Sequence, residues 1–362
     1  MKKTGMKMAA WLTALCVGGA ALTACGGAKP AETTAAPAET TAAATTAAPA
    51  ETTAAPAETV AETKAEAETS AAEMEAAEEE EENYETGDAS LDDPRNADEI
   101  GENELLVVSF GTSFNDSRRL TIGAVEEAME KAFPDWSVRR GFTSQIIIDH
   151  VKSRDGEVID NVTEALERAE KNGVKTLVVQ PTHLMNGFEY TDLSKELAGW
   201  ADAFEKIAIG EPLLTSDDDF SRVADALIDV TKEYDDGETA ICFMGHGTEA
   251  ESNGVYAKMQ EVLSGKGMEH YYVGTVEAEP SLEDVLEAVK KGSYKRVVLR
   301  PMMIVAGDHA NNDMAGDEED SWKSVFEGAG YEVVCVVECL GGIPAVQEIL
   351  TEHAQAAVDS VK

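Results

Sequence analysis

The sequence predicts an α/β fold: two flavodoxin-like parallel-sheet lobes, related by an internal duplication and facing each other across a cleft. Two observations carry this. From about Asn103 to Lys362, short β-branched runs alternate with helical patterns, the signature of βαβ units feeding a parallel sheet. The halves also match locally. Lys175-Thr-Leu-Val-Val-Gln-Pro181 parallels Lys295-Arg-Val-Val-Leu-Arg-Pro301, and Val107-Val-Ser-Phe-Gly-Thr112 parallels Phe243-Met-Gly-His-Gly-Thr248. Continuing those registers sets Phe110 against His246, Gly187 against Gly307 and Glu189 against His309.

The first lobe is expected over 103–236. Its strands are Glu104–Phe110, Ser137–Phe142, Thr176–Gln180 and Ile207–Ile209, and its helices are Leu120–Ala132, Gly156–Lys171 and Asp192–Phe204. The second lobe, 237–362, repeats the scheme. Its strands are Thr239–Met244, Tyr271–Val276, Arg296–Arg300 and Tyr331–Val337, and its helices are Gly254–Leu263, Ser281–Lys290, Glu318–Ala329 and Ile343–Ser360.

The chain before the lobes is of another kind. Residues 1–25 read as an export signal: Lys2, Lys3 and Lys7 precede an apolar run, Met8 to Leu22, too short and too rich in Ala and Gly for a good membrane span. It ends in Leu22-Thr23-Ala24-Cys25 followed by two glycines, a lipobox in which Cys25 becomes the lipidated first residue. Residues 26–102 read as a disordered, acidic Ala/Thr/Pro/Glu tether. The unit Ala-Ala-Pro-Ala-Glu-Thr recurs at 35–40, 47–52 and 54–59, and almost nothing apolar in the segment is larger than Ala, so no core forms to offset chain entropy. The expected location is therefore the outer face of the cytoplasmic membrane, or the periplasm or cell surface.

The net charge of −41 is inflated by that tether. No basic stripe appears, so no nucleic-acid partner is expected. Cys242, Cys335 and Cys339 lie in strand-like runs and read as small buried hydrophobes; three thiols do not make a disulfide framework. Walker A, dinucleotide and Gly-x-Ser-x-Gly signatures are absent from the sequence.

Candidate site residues follow from the fold. In an open α/β sheet, ligands bind outside the carboxyl ends of the strands. His246, Glu277 and His309 each follow a strand of the second lobe. Two imidazoles and a carboxylate suit a borderline divalent metal and leave coordination positions for a substrate. Phe110 and Glu189 take two corresponding places in the first lobe, giving a more apolar opposite wall suited to a flat, conjugated, acid-bearing substrate. His183, after the first lobe's third strand, is expected in the cleft. Arg118 and Arg119, in the first strand-to-helix loop, are candidates for pairing with substrate carboxylates. His150, His270 and His353 are expected at the surface.

Leu-Val-Val-Ser-Phe-Gly-Thr-Ser-Phe, Gln-Pro-Thr-His, Met-Gly-His-Gly-Thr and Ala-Gly-Asp-His-Ala-Asn-Asn-Asp-Met resemble the CbiK family of anaerobic cobalt chelatases, within the class II tetrapyrrole chelatases. The resemblance covers nearly all of Asn103 to about Ala357 and none of the tether. It implies a chelatase-type fold and ATP-independent insertion of Co2+ into sirohydrochlorin on the anaerobic route to cobalamin. It also implies a metal site at His246, Glu277 and His309, whose imidazoles accept the displaced protons. The same ligand set accepts Ni2+, Fe2+ or Zn2+. The lipobox departs from a family that is mostly cytoplasmic. It motivates an alternative: a membrane-anchored binder of haem, other tetrapyrroles or cobalt, for uptake or storage. A homo-oligomer is compatible with either reading.

Overall fold

A computed structural model describes residues 86–98 and 100–362. The signal sequence, Cys25 and the repeats of the tether lie outside the described residues. Among those described, no helix is long and apolar enough to cross a membrane.

The first lobe contains β1 (Asn103–Ser109), a helical turn α1 (Asn115–Arg118), α2 (Ala124–Ala132), β2 (Ser137–Phe142), α3 (Gln145–Asp155), α4 (Val162–Lys171), β3 (Thr176–Pro181), α5 (Phe188–Gly199), β4 (Lys206–Ile209) and α6 (Asp217–Thr231). The second contains β5 (Thr239–Gly245), α7 (Gly254–Gly265), β6 (Tyr271–Thr275), α8 (Leu282–Val289), β7 (Arg296–Pro301), α9 (Trp322–Gly328), β8 (Glu332–Cys335) and α10 (Pro344–Ser360). All strand pairs are parallel, in the orders β2-β1-β3-β4 and β6-β5-β7-β8.

The duplication holds in detail. Val108 pairs with Pro181 in the first sheet, as Met244 pairs with Pro301 in the second. Thr182 N–H donates to Val108 O at 2.8 Å, and Met302 N–H to Met244 O at 2.7 Å. Even a surface ion pair recurs: Lys175 to Glu102 at 2.6 Å and Lys295 to Glu238 at 2.7 Å. The central strands are apolar on both faces because helices cover both. Leu106 and Val108 pack outward with α4 and α5, while Leu105 and Val107 face a core shared with Ile241 and Phe243 of the other sheet.

The lobes exchange helices. α6, after the first lobe's last strand, packs on α7, and its Phe220, Val223 and Leu227 join the shared core. α10, after the last strand of the chain, returns to pack on α2, β3 and β4. Arg222 of α6 donates to Glu352 of α10 at 3.1 Å where the two helices meet.

Four expectations are corrected. The helix expected over Gly156–Lys171 begins only at Val162, as α4, and an unanticipated α3 precedes it, closed by Gly156 with a left-handed φ of +74°. α6 was not anticipated, although Ser216 and Asp219 form the capping box that starts it. The tether does not extend to residue 102: 86–98 is bonded to the first lobe, with Asp116 N–H donating to Thr86 O at 2.8 Å and Arg95 to Glu126 at 2.9 Å. His270 and His353 are half-buried rather than surface groups; His353 Nε2 lies 3.2 Å from Asp219 Oδ1, and His270 Nε2 lies 3.1 Å from Asp235 Oδ1. Among the described residues the three cysteines are free; Cys242 and Cys339 are buried, as expected, whereas Cys335 is only half-buried.

Candidate metal centre

Three strand ends of the second lobe converge. β5 leaves the sheet through Gly245-His246-Gly247. A Cβ on Gly245 would lie 2.0 Å from the Tyr256 ring, and Gly247 has φ +95° with Ala278 N 2.8 Å from where its Cβ would stand. Only glycine fits on either side, so the backbone turns sharply and His246 is presented at the rim. The loop after β6 is stapled to this turn, with Glu277 N–H donating to His246 O at 2.8 Å. After β7, His309 stands at the head of a π-helical turn, Ala310–Met314.

The wide π turn brings Asp313 back under His309, with Nδ1 to Asp313 Oδ2 at 2.6 Å. His246 Nδ1 contacts Gly247 O at 2.8 Å and lies 3.5 Å from Glu277 Oε2. Both rings are thus held through Nδ1, which leaves Nε2 as the nitrogen for a ligand. The rings meet edge to face, centroids 4.6 Å apart. One donor atom from each of His246, Glu277 and His309 lies within 4.8 Å of the others, and Asp308, His309 and Asp313 form an adjoining group of the same kind. The Asp313 hydrogen bond raises the His309 pKa above its ordinary value, against the opposing effect of burial. The side chains of His246 and Glu277 remain 47% and 53% exposed, so a substrate can reach what they hold.

The first lobe places different groups at the same stations. Leu213 N–H donates to His183 O and Leu340 N–H donates to Met303 O, so His183 matches Met303, and Glu189 matches His309 six residues on. Pairing of Ser109 with Phe142 and of Gly245 with Thr275 sets Ser144 opposite Glu277. Phe110 and Glu189, both exposed, line a cavity of about 350 Å³ with Phe142, Gln145, Asn161 and Leu193.

His183 lies outside the metal-competent group. Both its ring nitrogens are buried without a partner, and burial pushes its pKa down to about 4. Arg118 is a correction: it is fully buried, donating to Asp92 at 2.6 Å, Asn115 Oδ1 at 2.6 Å and Thr112 O at 3.2 Å, so its guanidinium is consumed inside the lobe. Arg119 is half-exposed and paired with Asp116 at 2.9 Å. Sequence reasoning missed Asp313 as the partner of His309 and Tyr256 as the floor under His246. The i, i+4 spacing of His309 and Asp313 was the available signal for the first.

Known proteins agree with this architecture. Residues 103–359 match the family model described as cobalt chelatase (CbiK). A sirohydrochlorin cobaltochelatase of Salmonella typhimurium strain LT2 is 34% identical over 255 residues, 70% of this chain and 96% of that protein. The sirohydrochlorin cobaltochelatase CbiKC of Nitratidesulfovibrio vulgaris is 29% identical over 259 residues, 71% of this chain and 91% of that protein. In fold, the chain is similar to SirB from Bacillus subtilis with Fe3+, with a TM-score of 0.53 and 14% identity over 72% of this chain and 97% of that one. The chain belongs to the cobalt chelatase (CbiK) family.

Proposed function

We propose that this chain inserts Co2+ into sirohydrochlorin, without ATP, in anaerobic cobalamin synthesis. The observation that carries this reading is the meeting of His246, Glu277 and His309 at the open strand ends of a CbiK-family chain. Insertion exchanges two pyrrole N–H protons for one Co2+. His246 and His309 hold the incoming ion through Nε2, and Glu277 offsets part of its charge. As the ion passes to the macrocycle, the imidazole nitrogens it leaves take up the displaced protons. Phe110 offers an apolar face to the macrocycle from the opposite wall. The donor set also accepts Ni2+, Fe2+ and Zn2+, so metal choice follows supply as much as affinity.

The chain works, on this reading, outside the cytoplasmic membrane, held by a lipid on Cys25; Lys2, Lys3, Lys7 and the Leu22-Thr23-Ala24-Cys25 lipobox support it. That location favours a second reading, an anchored binder of tetrapyrrole or cobalt, because sirohydrochlorin is made inside cells. The full-length chain, mixed anaerobically with sirohydrochlorin and Co2+ and followed by absorbance, separates the two. Turnover faster than the metal-only control supports the chelatase. Stoichiometric binding without turnover supports the binder and sinks the enzyme. Loss of membrane association in Cys25→Ala tests the anchor.

A further inference from the structure

We propose that Asp92, on the segment ahead of the family-matched region 103–359, is a positioning residue for His309; the inference rests on the reading of His309 as a metal ligand. Residues 86–98 lie flush on the first lobe. Gly87 has φ +94°, and a Cβ there would stand 2.4 Å from Asp116 Cγ, so this contact admits only glycine. Asn115 Nδ2 donates to Gly87 O at 3.2 Å, Asn96 Nδ2 to Val158 O at 2.6 Å, and Arg168 pairs with Asp98 at 3.0 Å.

At the centre of this strap, Asp92 Oδ2 accepts from Arg118 Nε and Arg140 Nη1, both at 2.6 Å, and Oδ1 accepts from Arg140 Nη2 at 3.0 Å. Both guanidiniums are buried. Burial pushes the Asp92 pKa up, but the two arginines outweigh it and hold the carboxylate below its ordinary range.

The two arginines depend on Asp92 unequally. Without it, Arg140 keeps Glu126, at 2.7 Å. Arg118 would keep only neutral acceptors, Thr112 O and Asn115 Oδ1; Asp155 lies within electrostatic reach but is bonded to Arg154 at 2.6 Å. A buried guanidinium stripped of its bonded carboxylate is strongly unfavourable, so Arg118 and the loop it anchors would shift.

That loop grips the other lobe. Thr112 Oγ1 donates to Ala306 O at 3.3 Å, and Ala306 N–H donates to Ser117 Oγ at 3.0 Å. Ala306 is therefore held at both backbone polar groups, three residues before His309. The relay runs from Asp92 through Arg118 to Thr112 and Ser117, then across the seam to the His309 segment.

Co2+ titration of the full-length chain, read by visible d–d absorption, tests the relay with Asp92→Asn, Asp92→Glu, Ser117→Ala and the Asp92→Asn/Ser117→Ala pair. Asp92→Asn is expected to weaken Co2+ binding about tenfold, the scale on which partners of metal-bound histidines act, with partial recovery in Asp92→Glu. Ser117→Ala weakens binding too, and in the pair the losses fall short of additive because both cut one path. Wild-type affinity in either single variant, or strictly additive losses, overturns the proposal. Ser117→Ala leaves no buried charge unpaired, so it decides alone if Asp92→Asn does not fold. His246→Ala judges the metal-site reading separately. If it binds Co2+ like wild type, that reading fails. The strap then rests on the His309 imidazole signals in NMR spectra of the metal-free chain. Asp92→Asn must move them, and unchanged signals end the inference.

Discussion

The two lobes share one backbone and differ at its edges. Strand order, register, a cross-strand backbone bond and an ion pair repeat between them, yet the first lobe carries Phe110, Ser144 and Glu189 where the second carries His246, Glu277 and His309. Buried parallel strands tolerate little change, because each apolar side chain contacts helices and neighbouring strands at crystal-like density. Strand ends carry no such constraint, so chemistry diverges there first. One lobe carries a polar, metal-competent rim. The other carries an aromatic face and a buried, unpartnered histidine.

The sharpest way to break this contrast is to remove it. His246→Ala and His309→Ala should each lower chelation at least about 10²-fold, the lower end for a positioned acid–base group, with melting temperature nearly unchanged. Loss of the fold would instead make these structural histidines. The next test concerns the group behind the rim. Asp313→Asn should weaken Co2+ binding about tenfold to 100-fold. It should also move the pH dependence. Asp313 raises the pKa of His309, so protons compete with metal up to a pH above the ordinary histidine value, and binding falls as pH drops through it. In Asp313→Asn that midpoint should move to lower pH; an unmoved midpoint would show that Asp313 does not set the protonation of His309.

A smaller effect is expected from His183. It is buried neutral with its pKa depressed to about 4, so the unfolded chain binds the extra proton more readily. Its contribution to stability is complete above the unfolded value near 6.5 and is lost as pH falls from there towards 4, a loss on the order of 3 kcal/mol. His183→Met, which installs the residue found at the matching Met303, should flatten that part of the stability curve measured by urea unfolding. An equally steep curve would mean that His183 is hydrated in solution. The smallest effect tests the divergence itself. Phe110→His with Glu189→His should add at most a weak second Co2+ site, detectable by equilibrium dialysis, because Ser144 caps α3 and supplies no carboxylate.

What was legible in the sequence follows the same division. Most of the eight strands were readable because they carry short apolar runs with β-branched residues, although β2 (Ser137-Val-Arg-Arg-Gly-Phe142) does not, and the duplication was readable because Pro181 and Pro301 mark one register. His246, Glu277 and His309 were readable from their places after strands and from the motifs around them. Arg118 was misjudged because its partner, Asp92, lies in an acidic stretch that reads as solvated tether, and nothing local in the sequence marks that carboxylate as buried. α6 was hidden by its Asp217-Asp218-Asp219 start, although acidic residues at a helix N-terminus oppose the helix dipole favourably. The turn after His309 escaped because a π turn follows no standard periodicity, and the contact of Asp313 with His309 was missed with it.

The helix exchange bears on how the molecule comes apart. Cleavage in the exposed Asp235–Gly237 connection would leave one fragment ending in α6, seated against the other's α7, and a second ending in α10, seated on the first's β3 and β4. Each fragment would clasp the other, as in a domain-swapped pair. The nicked protein should elute from a sizing column as intact chain and separate only in denaturant, and two halves expressed from separate genes should find each other and restore the bonds of Thr112 and Ser117 with Ala306 that neither makes alone.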